Sequence, residues 1–291
     1  MLTEQKNPNT LNIDQLSTAE IAGRIHAEDR TVLDAIERAM PQIVAAIDAI
    51  YERMRAGGRL FYVGAGTSGR LGILDAVELV PTFSSPPELV QGILAGGLDA
   101  VTQSIEGVED DRQAGIDELK MRSLTAGDVV LGIAASGRTP FVLGALDYAQ
   151  SVGARTIAIA CNQPAAVLDA AEIAIPLVTG PEVVTGSTRM KAGTAQKMTL
   201  NLMSTAVMIK LGKVYGNLMV DVQVKNAKLR ERAERIVSEI GRVNIPRAAA
   251  LLDESGNEVK TAIVIARRGV SADAARALLH AAGGVLRPVI D

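Results

Sequence analysis

Tryptophan is missing from this chain, and phenylalanine and tyrosine together supply only 2% of it. Aromatic platforms on which bases or sugar rings stack are therefore scarce, and a carbohydrate ligand would be held mainly by hydrogen bonds. Cysteine occurs once, as Cys161, which excludes an internal disulfide and any multi-cysteine metal site. The expected setting is a reducing cytoplasm. Histidine occurs twice, as His26 and His280. Both fall in helical stretches far from the glycine-rich loops and read as structural or surface residues, so no metal site is expected and acid–base work would fall to carboxylates. No apolar run approaches the roughly 18 residues of a membrane helix, although mean hydropathy is +0.20. The polar start, Met1 to Asn12, lacks the basic-then-apolar order of a secretion signal. A net charge of −3 argues against nucleic acid as the main partner.

What is present is ordinary globular composition, 48% hydrophobic and 22% charged over 291 residues. The first sixteen residues read as an extended arm. Ser17-Thr18-Ala19-Glu20 is a capping box that opens a helix. Apolar residues then recur at helical spacing from Val32 to Met54, and Pro41 predicts a kink or two successive helices. Beyond Gly57-Gly58 the period changes. Leu60–Val63, Gly92–Ala95, Val129–Ala134, Thr156–Ala160 and Glu172–Leu177 read as five strands separated mostly by helices. Continuous apolar strands alternating with helices predict an α/β fold, a doubly wound five-stranded parallel sheet covered on both faces. Right-handed crossovers put all strand C-terminal ends on one edge, where α/β proteins bind ligands. After Gly186 the chain reads as helical to about Asn226, and short amphipathic helices follow, with breaks near Gly241–Asn244, Ser255-Gly256 and Arg268-Gly269. The expected organisation is an N-terminal arm with helices over 1–57, an α/β domain over 58–226 and a small helical domain over 227–291.

Three segments carry the chemistry. Gly64-Ala65-Gly66-Thr67-Ser68-Gly69-Arg70 follows a strand and opens a helix from about Gly69, an arrangement that suits an anion. It fits the dinucleotide fingerprint formally, but the acidic residue expected about 20 positions on is absent from the end of the next strand. Ala135-Ser136-Gly137-Arg138-Thr139-Pro140 repeats the arrangement, and two such loops on one edge suit a phosphate held by neutral donors. Either loop also reads as a plain turn or N-cap. The third segment, Glu182 to Lys191, is dense in Ser, Thr and cations. Lys191 there reads first as a helix-surface cation, with phosphate ligand and Schiff-base lysine as alternatives. Cys161 reads as a packed side chain. Glu78 lies among apolar residues in Asp75-Ala76-Val77-Glu78-Leu79, which suits a proton donor, although a helix-surface position is equally compatible. Glu106 and Glu109 sit in what composition reads as a solvated acidic run.

These loops resemble those of sugar isomerase (SIS) domains, which bind phosphosugars. Tyr62–Ala76, Gly132–Pro140 and Glu182–Lys197, with the arm Thr3–Pro8 and the helix start Leu16–Glu20, are similar to the N-acetylmuramic acid 6-phosphate etherase family over nearly the whole chain. One departure is Val80, where that family has a second proline before Pro81. The resemblance implies an SIS-type fold and a lyase reaction without metal or organic cofactor. The D-lactyl ether at C3 of N-acetylmuramic acid 6-phosphate is cleaved to N-acetylglucosamine 6-phosphate and D-lactate, in recycling and catabolism of the cell-wall amino sugar. By resemblance Glu78 is the proton donor and Glu109 the second catalytic position, the division of acid and base work staying open. Ser68, Ser136 and Thr139 are the first phosphate ligands, with Thr67, Gly137, Ser187 and Thr188 behind them. Arg70, Arg138, Arg189 and Lys191 are candidates to offset the lactyl carboxylate. A homodimer is implied, with neither membrane nor nucleic acid as partner. The competing expectations are an SIS aldose–ketose isomerase and a non-catalytic phosphosugar regulator.

Overall fold

A computed structural model describes residues 1–291. Five strands run parallel in the order β2-β1-β3-β4-β5: β1 Leu60–Gly64, β2 Val90–Leu94, β3 Val129–Ala134, β4 Arg155–Ala160 and β5 Ile173–Pro176. Every residue of β1 and of β3 is buried, as strands covered on both faces require. Successive side chains point to opposite faces. Phe61, Val63 and Val130 join a core with Phe141, Val142, Ala145 and Leu146 on one face, and Tyr62 points to the other.

The crossovers supply the covering helices. In chain order these are α1 Thr18–Arg38, α2 Met40–Arg55, α3 Gly66–Phe83, α4 Asp99–Thr102, α5 Arg112–Met121, α6 Pro140–Ser151, α7 Ala166–Asp169 and α8 Lys191–Lys210. The Ser17 capping box forms, with Ser17 Oγ facing Glu20 N while the Glu20 carboxylate accepts from Ser17 N. Pro41 stands in the first turn of α2, so the chain makes two helices there. The first sixteen residues are not extended: they make 3-10 turns at Leu2–Glu4, Pro8–Thr10 and Ile13–Gln15. Buried side chains explain this. Thr3, Asn7 and Thr10 each turn inward to a hydrogen-bond partner, and an extended strand would turn only alternate residues that way.

Residues 1–77 and 87–204 form one compact unit, and residues 78–86 and 205–291 a second. In the second unit the helix does not run on to Asn226. It ends at Lys210, and a two-stranded hairpin follows, β6 Val214–Tyr215 with β7 Leu218–Met219. Gly216-Asn217 makes the turn, a pair suited to a two-residue hairpin loop. Four amphipathic helices, α9 Ala227–Gly241, α10 Ile245–Glu254, α11 Val259–Arg268 and α12 Ala272–Ala281, pack around Val237, Leu251, Ile263 and Leu279, and α13 Arg287–Ile290 closes the chain. Lys260 is buried there and donates to Asp221 Oδ2 at 2.7 Å. No helix is long and apolar enough to cross a membrane.

Candidate active site at the sheet switch point

In the order 2-1-3-4-5 the strand sequence reverses between β1 and β3, and ligands of such sheets bind beyond the carboxyl ends of those two strands. Both glycine loops emerge there. After β1 the chain folds back at once into α3, which starts at Gly66 rather than Gly69. A side chain at Gly64 would stand 2.7 Å from Gly69 N, and one at Gly69 would stand 2.5 Å from Gly64 O. Only a glycine pair permits so close a turn. Its result is a helix N-terminus at the sheet edge, with the first N–H groups of α3 lacking intrahelical acceptors. The loop after β3 reaches Thr139, the N-cap of α6, whose side chain makes no capping hydrogen bond. Its hydroxyl is not consumed by the helix.

Between the loops lies a polar cavity of about 300 Å³. Thr67, Ser68, Ser136, Thr139 and Thr188 stand on its wall, with Glu106 and Glu109. Of the catalytic and phosphate-binding candidates from the sequence, Thr67, Ser68, Ser136, Thr139, Thr188 and Glu109 are therefore brought together, and Arg70 lines the cavity as well. Gly137, Ser187 and Glu78 are not. Gly137 is buried off the wall, its N–H donating to Ala134 O at 3.0 Å and its carbonyl accepting from Val167 N. Ser187 is half-buried and also off the wall. Glu78 is exposed on α3 and is not among the wall residues. Of its apolar neighbours, Ala76 and Leu79 are buried while Leu74 and Val77 are exposed with it.

Each wall residue has a local cause. Ser68 is buried and its Oγ donates to Gln196 Oε1 of α8 at 2.9 Å. That leaves its backbone N–H as its remaining donor. Ser136 Oγ accepts from Arg138 N at 3.3 Å, and its proton remains available. Glu109 lies in a 3-10 turn, Val108–Asp110, and Asp111 caps α5 by accepting from Ala114 N at 2.9 Å. Within the acidic run, Asp111 thus caps a helix while Glu106 and Glu109 stand on the wall and Asp110 does not. Arg70 holds the loop that carries them: Nε donates to Ala100 O at 2.9 Å and Nη2 to Gln103 O at 2.8 Å. Arg138 and Arg189 are exposed and off the wall.

Lys191 is not a surface cation. It is 1% exposed and its Nζ donates to Glu28 Oε2 at 2.7 Å. Burial works to raise the Glu28 carboxyl, but hydrogen bonds from Lys191, Asn9 and Asn7 outweigh it and hold that group below its ordinary value. Glu182, also buried, accepts from the first N–H groups of α8, Lys191 N at 3.0 Å and Ala192 N at 2.9 Å, and burial pushes its carboxyl up. A second buried cluster joins β1, α3 and α8: Tyr62 Oη and Ser204 Oγ donate to Asp75, as does Asn201 Nδ2 at 2.6 Å. Burial raises the Asp75 carboxyl. Cys161 is fully buried, and burial pushes its thiol up to about 12. No cluster of His, Cys, Asp and Glu is grouped to hold a metal ion.

The sequence reading gave no role to Glu4, which belongs to the N-terminal turns yet lines the cavity. Nothing local marks it, because its place depends on contacts more than 150 residues away in sequence.

Comparison with known proteins gives concordant results. The model of the SIS domain matches residues 112–206, and that of the glucokinase regulatory protein N-terminal SIS domain matches residues 42–150. An N-acetylmuramic acid 6-phosphate etherase of Edwardsiella ictaluri is 53% identical over 291 residues, covering 100% of this chain and 97% of the relative. One of Brucella anthropi is 50% identical, covering 100% and 95%. Among solved structures, a phosphoheptose isomerase from Francisella tularensis superposes with a TM-score of 0.52 at 18% identity, covering 67% of this chain and 99% of that one. That likeness concerns the fold.

Proposed function

The chain belongs to the N-acetylmuramic acid 6-phosphate etherase family of carbon–oxygen lyases, and from that membership we propose that it cleaves the D-lactyl ether of N-acetylmuramic acid 6-phosphate with water. The products are N-acetylglucosamine 6-phosphate and D-lactate. One observation carries the assignment to this site: two helix N-termini and a row of hydroxyls share a cavity with glutamates.

The phosphate sits against the N-termini of α3 and α6. Ser136, Thr139, Thr67 and Thr188 donate from hydroxyls and Ser68 from its N–H, so a dianion is bound largely by neutral groups and helix dipoles. The anchor is remote from the bond that breaks, so its binding energy holds the open-chain sugar in reactive geometry.

An unactivated ether needs help to break. In the open-chain form the C1 aldehyde makes the C2 proton acidic. A glutamate takes that proton, the C2–C3 double bond forms, the C3–O bond breaks, and the lactyl oxygen receives a proton. Water then adds at C3 and C2 regains a proton. Each stage needs one acceptor and one donor. Glu109, on the wall, takes the base and water-activating part. Glu78 is the donor to the departing oxygen. We infer that a homodimer would cover it, since Leu74 and Val77, 49% and 60% exposed, share its helix. Covering this apolar surface with a second copy would desolvate Glu78. We place the enzyme in the cytoplasm.

The decisive experiment is incubation with N-acetylmuramic acid 6-phosphate and an enzymatic D-lactate readout, beside sedimentation of the protein. Release of D-lactate by a dimer is expected. Conversion of phosphosugars to ketoses without lactate would replace the reading by an isomerase, and binding without turnover by a regulator.

A further inference from the structure

Glu4 lines the cavity, and the reaction above gives it no task. Its position is built from buried contacts. Thr3, fully buried, donates from its N–H to Asn162 Oδ1 at 3.2 Å, accepts at Oγ1 from Asn162 Nδ2 at 3.0 Å, and accepts at its carbonyl from Gly186 N at 3.1 Å. Asn7 Nδ2 donates to Glu28 Oε2 at 2.7 Å and to Pro181 O at 3.2 Å, and Thr10 Oγ1 donates to Val183 O at 2.8 Å. The residues on both sides of Glu4 are thus fixed, and its carboxylate lies over Gly186: a side chain there would begin 3.4 Å from Glu4 Oε2.

The sheet order sets apart the elements that carry these carboxylates. Glu106 and Glu109 arrive on the loop that follows β2, at one edge of the sheet. Glu4 is tied to Asn162, which follows β4 on the other side of the hydroxyl loops. A carboxylate only accepts hydrogen bonds. It repels the phosphate and the lactyl carboxylate, and the substrate carries no cation. What remains for it are the neutral donors of the sugar, its hydroxyls and acetamide N–H.

We propose that Glu4 is a substrate-binding residue, its carboxylate accepting hydrogen bonds from a hydroxyl or the acetamide N–H of the phosphorylated amino sugar, in the cavity that Glu109 also lines. The proposal rests on the etherase reading for the identity of the sugar, not for the geometry. Such charge-assisted bonds are about twice as strong as neutral ones, and they orient the sugar rather than move its protons.

The test uses the full chain with Glu4→Ala, Glu4→Gln and, as control two residues further along, exposed Lys6→Ala. Lactate release gives kcat and KM, calorimetry gives Kd for N-acetylglucosamine 6-phosphate, and inhibition gives Ki for inorganic phosphate. For Glu4→Ala, KM and Kd rise about tenfold, kcat stays within threefold and the phosphate Ki is unchanged. Glu4→Gln, which keeps one acceptor, lies between it and wild type, and Lys6→Ala matches wild type. A KM and Kd within twofold of wild type overturn the proposal. So does a hundredfold fall in kcat with loss of one limb of the pH profile, since Glu4 would then transfer protons. A parallel loss of inorganic phosphate binding also overturns it, because Glu4 would then act by shaping the Ser136 loop. If the wild type releases no lactate, the etherase reading fails by itself, and the Kd comparison still decides Glu4.

Discussion

The pair Lys191–Glu28 offers a quantitative test of how the cavity wall is held. Both groups are buried, at 1% and 8% exposure, with 2.7 Å between Nζ and Oε2. Removing one partner of such a pair leaves an uncompensated charge and costs about 3–5 kcal/mol. The two halves differ. Lys191→Met leaves Glu28 still bonded to Asn7 at 2.7 Å and Asn9 at 2.8 Å, so its cost falls at or below the lower end. Glu28→Gln faces a buried ammonium with an amide and turns one N–H toward the donors of Asn7 or Asn9, so its cost falls at the upper end. The double variant should lose less than the sum, because the orphaned charge is gone. The Asn7 bond connects this loss to the N-terminal turns. If about 2 kcal/mol of it falls on opening that segment, trypsin should cut after exposed Lys6 about 30-fold faster. The assay is urea unfolding by circular dichroism together with tryptic digestion followed by mass. The pH dependence has a fixed sign. Glu28 has a lowered value in the folded state, so its stabilisation is complete above its ordinary 4.5 and is lost as pH falls through the folded value. The gap between wild type and Glu28→Gln should therefore close below about pH 4.5. Equal stability of wild type and Glu28→Gln at pH 7, or a gap that widens in acid, would refute this reasoning.

Three further outcomes follow from the site. Ser136→Ala removes one neutral donor worth about 0.5–1.5 kcal/mol and should raise KM roughly 2- to 12-fold with little change in kcat; an unchanged KM would remove Ser136 from the phosphate anchor. Glu78→Ala should abolish lactate release while N-acetylglucosamine 6-phosphate affinity, measured by calorimetry, stays within about tenfold, since the anchor lies elsewhere; near wild-type turnover would end its assignment as proton donor. Cys161, with its thiol pushed up to about 12 by burial, should resist iodoacetamide in the native protein at pH 8 and react once unfolded; rapid native labelling would contradict the packing around it.

The parts of this molecule legible in its sequence are those with a local cause. Val129–Ala134 reads as a buried strand because six apolar or small residues in a row suit a sheet covered twice. The two glycine loops and their hydroxyls read as a ligand edge because strand, glycine and helix start follow one another directly. The Gly216-Asn217 hairpin also had a local signal, and the helical reading passed over it. Lys191 did not: its partner is 163 positions away, and the cations and hydroxyls around it gave no hint of burial. Glu4 escaped for the same reason, since Thr3 meets Asn162 only once β4 is in place. The acidic run around Glu109 was ambiguous, because charge density alone does not say which carboxylates an arginine elsewhere will turn toward a cavity.

Asn162 holds the beginning of the chain with the same amide that donates to Ala135 O at 2.9 Å, one residue before Ser136. Two parts of the cavity rim therefore share a single fastening. Thermodynamic linkage makes such sharing reciprocal. A phosphosugar that steadies the Ser136 loop steadies the opening residues by the same free energy, and whatever frees those residues slackens the grip on the phosphosugar to an equal degree.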